Sequence, residues 1–222
     1  MRATQDLFQA IKAGDLARVT QLLDADPALV NARDDGGLSA VLTAAYYNEP
    51  QIAQLLAQRG ADLSIFEAAA IGALDRVEGW LEADPDLINA YAPDGFQPIG
   101  LAAFFGHAPV VAYLLGRGAQ PDAPSQNHMR VRPLHSAVAG RRTDIVALLL
   151  DHGADVNSTQ ADDFTPLHEA AQNGLPDVTQ WLLERGAAVN ARLSSGKTPL
   201  TLALEAGHAA VAEQLRRAGA QE

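Results

Sequence analysis

Three prolines, Pro133, Pro166 and Pro199, stand 33 residues apart, and each is followed by leucine. The glycines keep the same step, Gly153 to Gly186 and Gly174 to Gly207. A fixed period of this length is the mark of stacked repeats, and it constrains the fold more than any other feature of the chain. Upstream a second period, 58 residues long, is visible. Residues 6–32 recur as residues 64–90, Tyr46-Tyr47 falls on Phe104-Phe105, and Arg59-Gly60-Ala61 falls on Arg117-Gly118-Ala119. The N-terminal part is a duplicated pair of units.

Each unit reads as helix, short turn, helix and loop. Thr165 is placed to N-cap a helix that opens on Pro166, where a missing N–H costs nothing. That helix runs through Leu167, Ala170 and Ala171 and stops at Gly174, a candidate left-handed C-cap. A second helix begins near Asp177, carries Val178, Leu182 and Leu183 at helical spacing, and stops at Gly186. Composition fits this scheme: 43 Ala and 29 Leu make up about a third of the 222 residues, and only 5% are aromatic. Alanines let first helices approach closely, and leucines fill the space between units. A lone two-helix unit cannot bury both faces, so neighbours must stack. The pattern gives one all-α domain over residues 1–222, divided into units at 3–36, 37–63, 64–94, 95–129, 130–162, 163–195 and 196–222.

The absence of cysteine excludes a disulfide scaffold, a thiolate zinc site and a cysteine nucleophile together. A formal charge of −11 disfavours nucleic acid and anionic membranes as partners of the whole surface. No apolar run approaches the roughly 20 residues that cross a bilayer, and residues 1–15 show no export signal. A cytoplasmic, monomeric protein is expected.

The run Thr165-Pro166-Leu167-His168-Glu169-Ala170-Ala171, with Gly174, Val178, Leu182-Leu183, Gly186-Ala187 and Asn190 after it, closely resembles the ankyrin repeat. Thr198-Pro199-Leu200 and Arg132-Pro133-Leu134-His135 repeat the motif, and the resemblance covers residues 3–220. The Asp-Pro-x-Leu-(Val/Ile)-Asn segments at 26–31 and 84–89 look like compact bacterial members of that family. The resemblance implies an ankyrin-repeat solenoid of about seven helix-turn-helix units joined by β-hairpin or loop fingers. It also implies protein binding through a concave face lined by finger tips and first-helix ends.

Two fingers depart from the pattern. From Gly60 to Ser64, taken as the counterpart of Pro166, is four residues, where Gly153 to Pro166 is thirteen. Nine residues are then missing before residue 65, essentially one whole finger, and a break or altered curvature is expected there. From Gly118 to Pro133 is fifteen residues, so that finger is two residues longer. Ser39-Ala40-Val41-Leu42 and Gln97-Pro98-Ile99-Gly100 replace the Thr-Pro-Leu-His motif in the second and fourth units.

No catalytic constellation or metal set emerges, and no cofactor is called for. His135 and His168 share one repeat position, where the family uses histidine for hydrogen bonding at the finger-to-helix junction. Successive units are roughly 8–10 Å apart, too far for two such rings to share a zinc with ligands at about 2 Å. His107 and His208 follow first-helix glycines, His152 ends a second helix, and only His128 lacks a repeat-based explanation. Ser195-Gly196-Lys197-Thr198 imitates the end of a phosphate-binding loop, but the first glycine would fall at position 191, which is alanine. Asn157-Ser158-Thr159 is a chance glycosylation match in a chain without an export signal. Pro98, Pro133, Thr165, Pro166, Thr198 and Pro199 have structural roles at helix starts.

Carried over position by position, the family's concave face takes seven of the twelve aromatics: Tyr46, Tyr47, Tyr91, Phe96, Phe104, Phe105 and Phe164. Aromatics in such places mark contact surfaces, although Tyr46 and Phe104 could instead pack across the missing finger. Residues 117–142 hold five arginines, Arg117, Arg130, Arg132, Arg141 and Arg142, against one acid, Asp122, a net +4. Two readings follow. The first is a non-enzymatic interaction module or scaffold binding a protein partner through these aromatics and Arg130, Arg132, Arg141 and Arg142. The second is a small-ligand or anion site at the arginine-rich finger, formed by His128 with Arg130, Arg132, Arg141 and Arg142.

Overall fold

In a computed structural model describing residues 2–221, the repeat period becomes seven helix pairs. The chain divides into two compact units after Asp84. The N-terminal unit holds α1 (Arg2–Lys12) with α2 (Leu16–Ala25), α3 (Ala40–Tyr46) with α4 (Pro50–Gln58), and α5 (Ile65–Ala70) with α6 (Leu74–Ala83). The C-terminal unit holds α7 (Pro98–Phe105) with α8 (Ala108–Gly116) and α9 (Pro133–Ala139) with α10 (Thr143–Asp151). It is completed by α11 (Pro166–Gln172) with α12 (Pro176–Glu184) and α13 (Pro199–Glu205) with α14 (Ala209–Arg217). Within each unit first helices pack on first helices, α1 on α3 on α5 and α7 on α9 on α11 on α13. Second helices form a parallel layer, α2 on α4 and α8 on α10 on α12 on α14.

The side-chain sizes explain this stacking. Ala68, Ala102, Ala137, Ala170 and Ala203 are fully buried in the first-helix layer, where larger groups would push the helices apart. Val19, Leu56, Val77, Leu114, Leu149, Leu182 and Leu215, on the inner side of the second helices, are equally buried. Each such side chain contributes about 1.5–3 kcal/mol. The first helices start as the motif requires. Thr165 accepts from the His168 N–H and Thr198 from the Thr201 N–H, each with the reciprocal bond of a capping box. Ser39 caps α3, and Ser64 with Glu67 forms a capping box on α5. Thr165→Ala removes a buried cap and one partner of the His168 ring, and should cost about 1–2 kcal/mol in urea unfolding; an unchanged midpoint would contradict that role.

The fingers are turns rather than regular strands. Among the described residues the one β-bridge pairs Arg33 with Ser39. Four fingers close with a backbone bond across four positions: Asp34 N–H to Leu38 O, Ala92 N–H to Phe96 O, Gln160 N–H to Phe164 O, and Leu193 N–H to Lys197 O. The extended finger closes across six, from Ser125 N–H to Val131 O, which places the two extra residues at its tip. In the C-terminal unit finger joins finger through Gln126 N–H to Gly95 O, Ala161 N–H to Met129 O and Ser194 N–H to Asp162 O.

One expectation about the missing finger is corrected. Ser64 is the helix cap and therefore the counterpart of Thr165, not of Pro166. Gly60 to Ser64 is four residues against twelve from Gly153 to Thr165, a shortening of eight. The first-helix layer continues across the short connection, where α3 packs on α5. The short connection is closed by Asn31, which accepts from the Asp62 N–H and donates to its carboxylate, both at 2.8 Å.

Candidate functional site

The aromatics at the first-helix ends are placed by how those helices stop. α3 ends at Tyr46, Tyr47 is its C-cap, and Asn48 turns the chain with φ 57°. Tyr46 is 39% and Tyr47 48% exposed. The Lys12 ammonium sits 5.6 Å from the centre of the Tyr47 ring, a cation–π contact that restricts both groups. Beside them an open groove of about 720 Å³ lies between α1 and the first finger, lined by Thr4, Phe8, Lys12, Arg33 and Asp35 among others. The Arg33 guanidinium donates to Gly37 O and approaches the buried Glu67 carboxylate at 3.7 Å.

In the C-terminal unit α7 ends in Phe104 and Phe105 before Gly106, whose φ of 92° turns the chain out of the helix. Phe104 is exposed and meets the half-buried Phe105 edge to face at 5.1 Å. Tyr91, Phe96 and Phe164 are half-buried. Phe164 has a clear internal role: its ring lies 5.6 Å from that of His168, and its carbonyl meets His135 Nε2 at 2.9 Å. Of the seven aromatics read from the sequence, Tyr46, Tyr47 and Phe104 face solvent outright.

The arginine-rich stretch does not converge on a ligand. Arg132 donates to the carbonyls of Asp122 and Thr159. Arg141 reaches Asn173 O, Arg142 reaches Phe104 O at 3.2 Å, and Arg117 lies over the Tyr113 ring. Arg141 and Arg142 thus meet carbonyls at the C-terminal ends of neighbouring first helices, where the helix dipole favours a cation, and Arg132 meets loop carbonyls. Arg130 borders an open cleft of about 340 Å³ with Arg132, Asp162 and Asp163, which balances its charge. His128 is exposed. The anion-site reading loses its convergent cations.

The histidines are mostly structural. His135 is buried, and its pKa is lowered to about 4, first by burial and then by the nearby Arg132 charge, against the opposing bond to Phe164. Among the described residues its Nδ1 has no hydrogen-bond partner, because Arg132 stands where Thr165 serves His168. Burial also lowers the pKa of His168, whose ring faces the carbonyls of Lys197 and Ala191. His152 and His208 bond to the carbonyls of Leu148 and Gln172. Burial raises the pKa of Glu169, which accepts from Asn173. Among the described residues no group of three His, Asp or Glu side chains could hold a metal, and no helix is long and apolar enough to cross a membrane.

Sequence reasoning missed Trp80, which is 41% exposed on α6, and the exposed Met129 and Leu204. Trp80 occupies the repeat position of Trp181, a signal present in the sequence, but its exposure depends on what neighbouring repeats leave uncovered.

Comparison with known proteins gives a consistent result. A family model described as ankyrin repeats (3 copies) matches residues 65–160, and one described as ankyrin repeats (many copies) matches residues 149–203. The chain is 28% identical over 166 residues to ankyrin repeat protein nuc-2 of Neurospora crassa, covering 70% of this chain and 15% of that protein. It is 32% identical over 152 residues to ankyrin repeat and SAM domain-containing protein 6 of Rattus norvegicus, covering 68% of this chain and 14% of that one. A third similarity, 36% over 67 residues, is to NAD-capped RNA hydrolase NUDT12 of Homo sapiens, covering 30% of this chain and 14% of the hydrolase. Each likeness therefore spans a small part of a much longer protein.

Proposed function

The chain belongs to the ankyrin-repeat family, and on that premise we propose that it is a non-enzymatic module that binds a protein partner through its first-helix ends and finger tips. The observation that carries this reading is the exposure of Tyr46 and Tyr47 in one unit and Phe104 in the other, each at the C-terminal end of a first helix. These rings are large contact groups on capped, tightly packed helices, so ordering them on binding costs little entropy. The half-buried Tyr91, Phe96, Phe105 and Phe164 belong to the fingers and the first-helix end of the C-terminal unit, and Arg130 is the arginine best placed to meet a partner. Arg132, Arg141 and Arg142 act mainly within the repeats. The anion-site alternative has no specific observation in its favour.

The test is affinity capture from native extract with the whole chain and with a Y46A/Y47A/F104A variant. Truncating anchors of this type costs about 2 kcal/mol each, so captured partner should fall by more than tenfold. The helical circular-dichroism signal should be unchanged, because the three rings are exposed. Equal capture by the variant would refute the assignment of the face.

A further inference from the structure

We propose that the groove beside α1 takes an extended segment of the protein partner, an inference that rests on the first-helix ends and finger tips being the binding side. The segment pairs its backbone with the open edge of the first finger and carries an acidic side chain to Lys12. The fingers share a register that identifies this edge. In each, the backbone bond that closes the turn starts from one residue: Asp34, Ala92, Ser125, Gln160 or Leu193. In three of them the N–H of the next residue donates to the finger before, Gln126 to Gly95 O, Ala161 to Met129 O and Ser194 to Asp162 O. Two fingers have none before them among the described residues. One follows the shortened connection and has Pro93 at this position, which has no N–H to leave unpaired. The other is the first finger, where the residue is Asp35, and its N–H engages no partner among the described residues. Two positions earlier the same holds. Thr159 O accepts from Arg132 of the preceding finger, whereas its counterpart Arg33 O is unengaged.

The groove has room and chemistry for such a chain. Arg33 and Asp35 line one wall of its roughly 720 Å³. Asp34 turns its N–H inward to Leu38, so the backbone groups of Arg33 and Asp35 turn outward, as they alternate along an extended strand. The opposite wall is α1, where Thr4, Gln5, Phe8, Gln9 and Lys12 share one face. Phe8 is buried and gives an apolar floor. The exposed side-chain amides of Gln5 and Gln9 engage no partner among the described residues and can donate to or accept from a second backbone. No carboxylate among the described residues pairs with the Lys12 ammonium, which is held beside the Tyr47 ring. Of the finger's two carboxylates, that of Asp34 is taken up by the Gly36 and Leu38 N–H groups, and that of Asp35 is unpaired. A chain laid along this edge supplies the carbonyl that the Asp35 N–H lacks, as in strand addition to a sheet. One glutamate or aspartate on it meets Lys12.

The experiment titrates the isotope-labelled full chain with a short blocked peptide of threonine and valine bearing one central glutamate, and follows the amide resonances by NMR. Saturable shifts are expected at Arg33, at Asp35 and along α1. Asp35→Pro removes the N–H at a position where Pro93 shows that a finger accepts proline, and should weaken binding by roughly tenfold or more. Asp35→Asn keeps the N–H and should bind at least as well as wild type. Lysine in place of the peptide's glutamate, and Lys12→Gln in the protein, should each lower the affinity. Circular dichroism checks that every variant keeps its helices. The proposal is overturned by the absence of saturable shifts, by undiminished binding to Asp35→Pro, by an equal loss in Asp35→Asn, or by an equal response to the lysine peptide. This titration uses no captured partner, and the Y46A/Y47A/F104A capture uses no peptide, so failure of the groove and failure of the aromatic face are told apart.

Discussion

Gly140→Ala should destabilise the C-terminal unit by about 3 kcal/mol, at the upper end of the usual penalty for overpacking. Gly140 follows α9 with φ −72°, a conformation alanine adopts without strain, so the backbone alone gives no reason for glycine. The reason is the neighbouring helix. A Cβ at this position would lie 2.2 Å from the carbonyl oxygen of Phe104 and 3.2 Å from that of Ser136. Neither atom can rotate away, since both belong to helix backbones, and α7 must separate from α9 along a layer of fully buried alanines. Gly79 and Gly116 supply the control. They lie inside α6 and α8 with nothing within 4 Å of where an added methyl would sit, and alanine there should stabilise by about 0.5–1 kcal/mol. Urea unfolding of the three variants tests the contrast. A Gly140→Ala protein as stable as wild type would mean that α7 and α9 do not approach as closely as described.

Acidification from pH 7 to pH 5 should cost about 2 kcal/mol through His135 alone. Its folded pKa of about 4 lies below the ordinary 6.5. Between those values the unfolded chain binds the proton and the folded chain does not. Stability is therefore complete above pH 6.5, falls as the pH drops through the window, and levels off below about 4. His168, also lowered, acts in the same sense. Glu169, raised by burial, acts in the opposite sense just above the ordinary carboxyl range, so the net slope is steepest near the upper end of the window. Urea midpoints at pH 7, 6 and 5, compared with those of His135→Gln, measure the effect. The variant should show a shallower dependence, and an identical slope would contradict the assignment.

Much of this architecture was legible because the repeat period acts on backbone geometry. The helix-starting role of Thr165 and Pro166, the finger extended by two residues, and the shared position of His135 and His168 all follow from register. Side chains whose environment comes from the next repeat were harder to place. Phe164 reads as a groove aromatic, yet it lies against His168 and bonds through its carbonyl to His135. The arginines between 117 and 142 look like a single patch in the sequence, but Arg117, Arg132, Arg141 and Arg142 find different carbonyls or a ring in the fold. Trp80 escaped notice because its exposure depends on a shortened connection. One-residue misplacement of Ser64 against Pro166 also made the deletion look longer than it is.

The most direct test of the proposed binding face is a hydrogen–deuterium exchange footprint of the chain with and without its captured partner. The expected result is slowed exchange at the first-helix ends and fingers, residues 33–48, 93–106 and 126–132, with α8, α10 and α12 unchanged. Protection confined to the second helices, with those segments exchanging as in the isolated chain, would contradict the account.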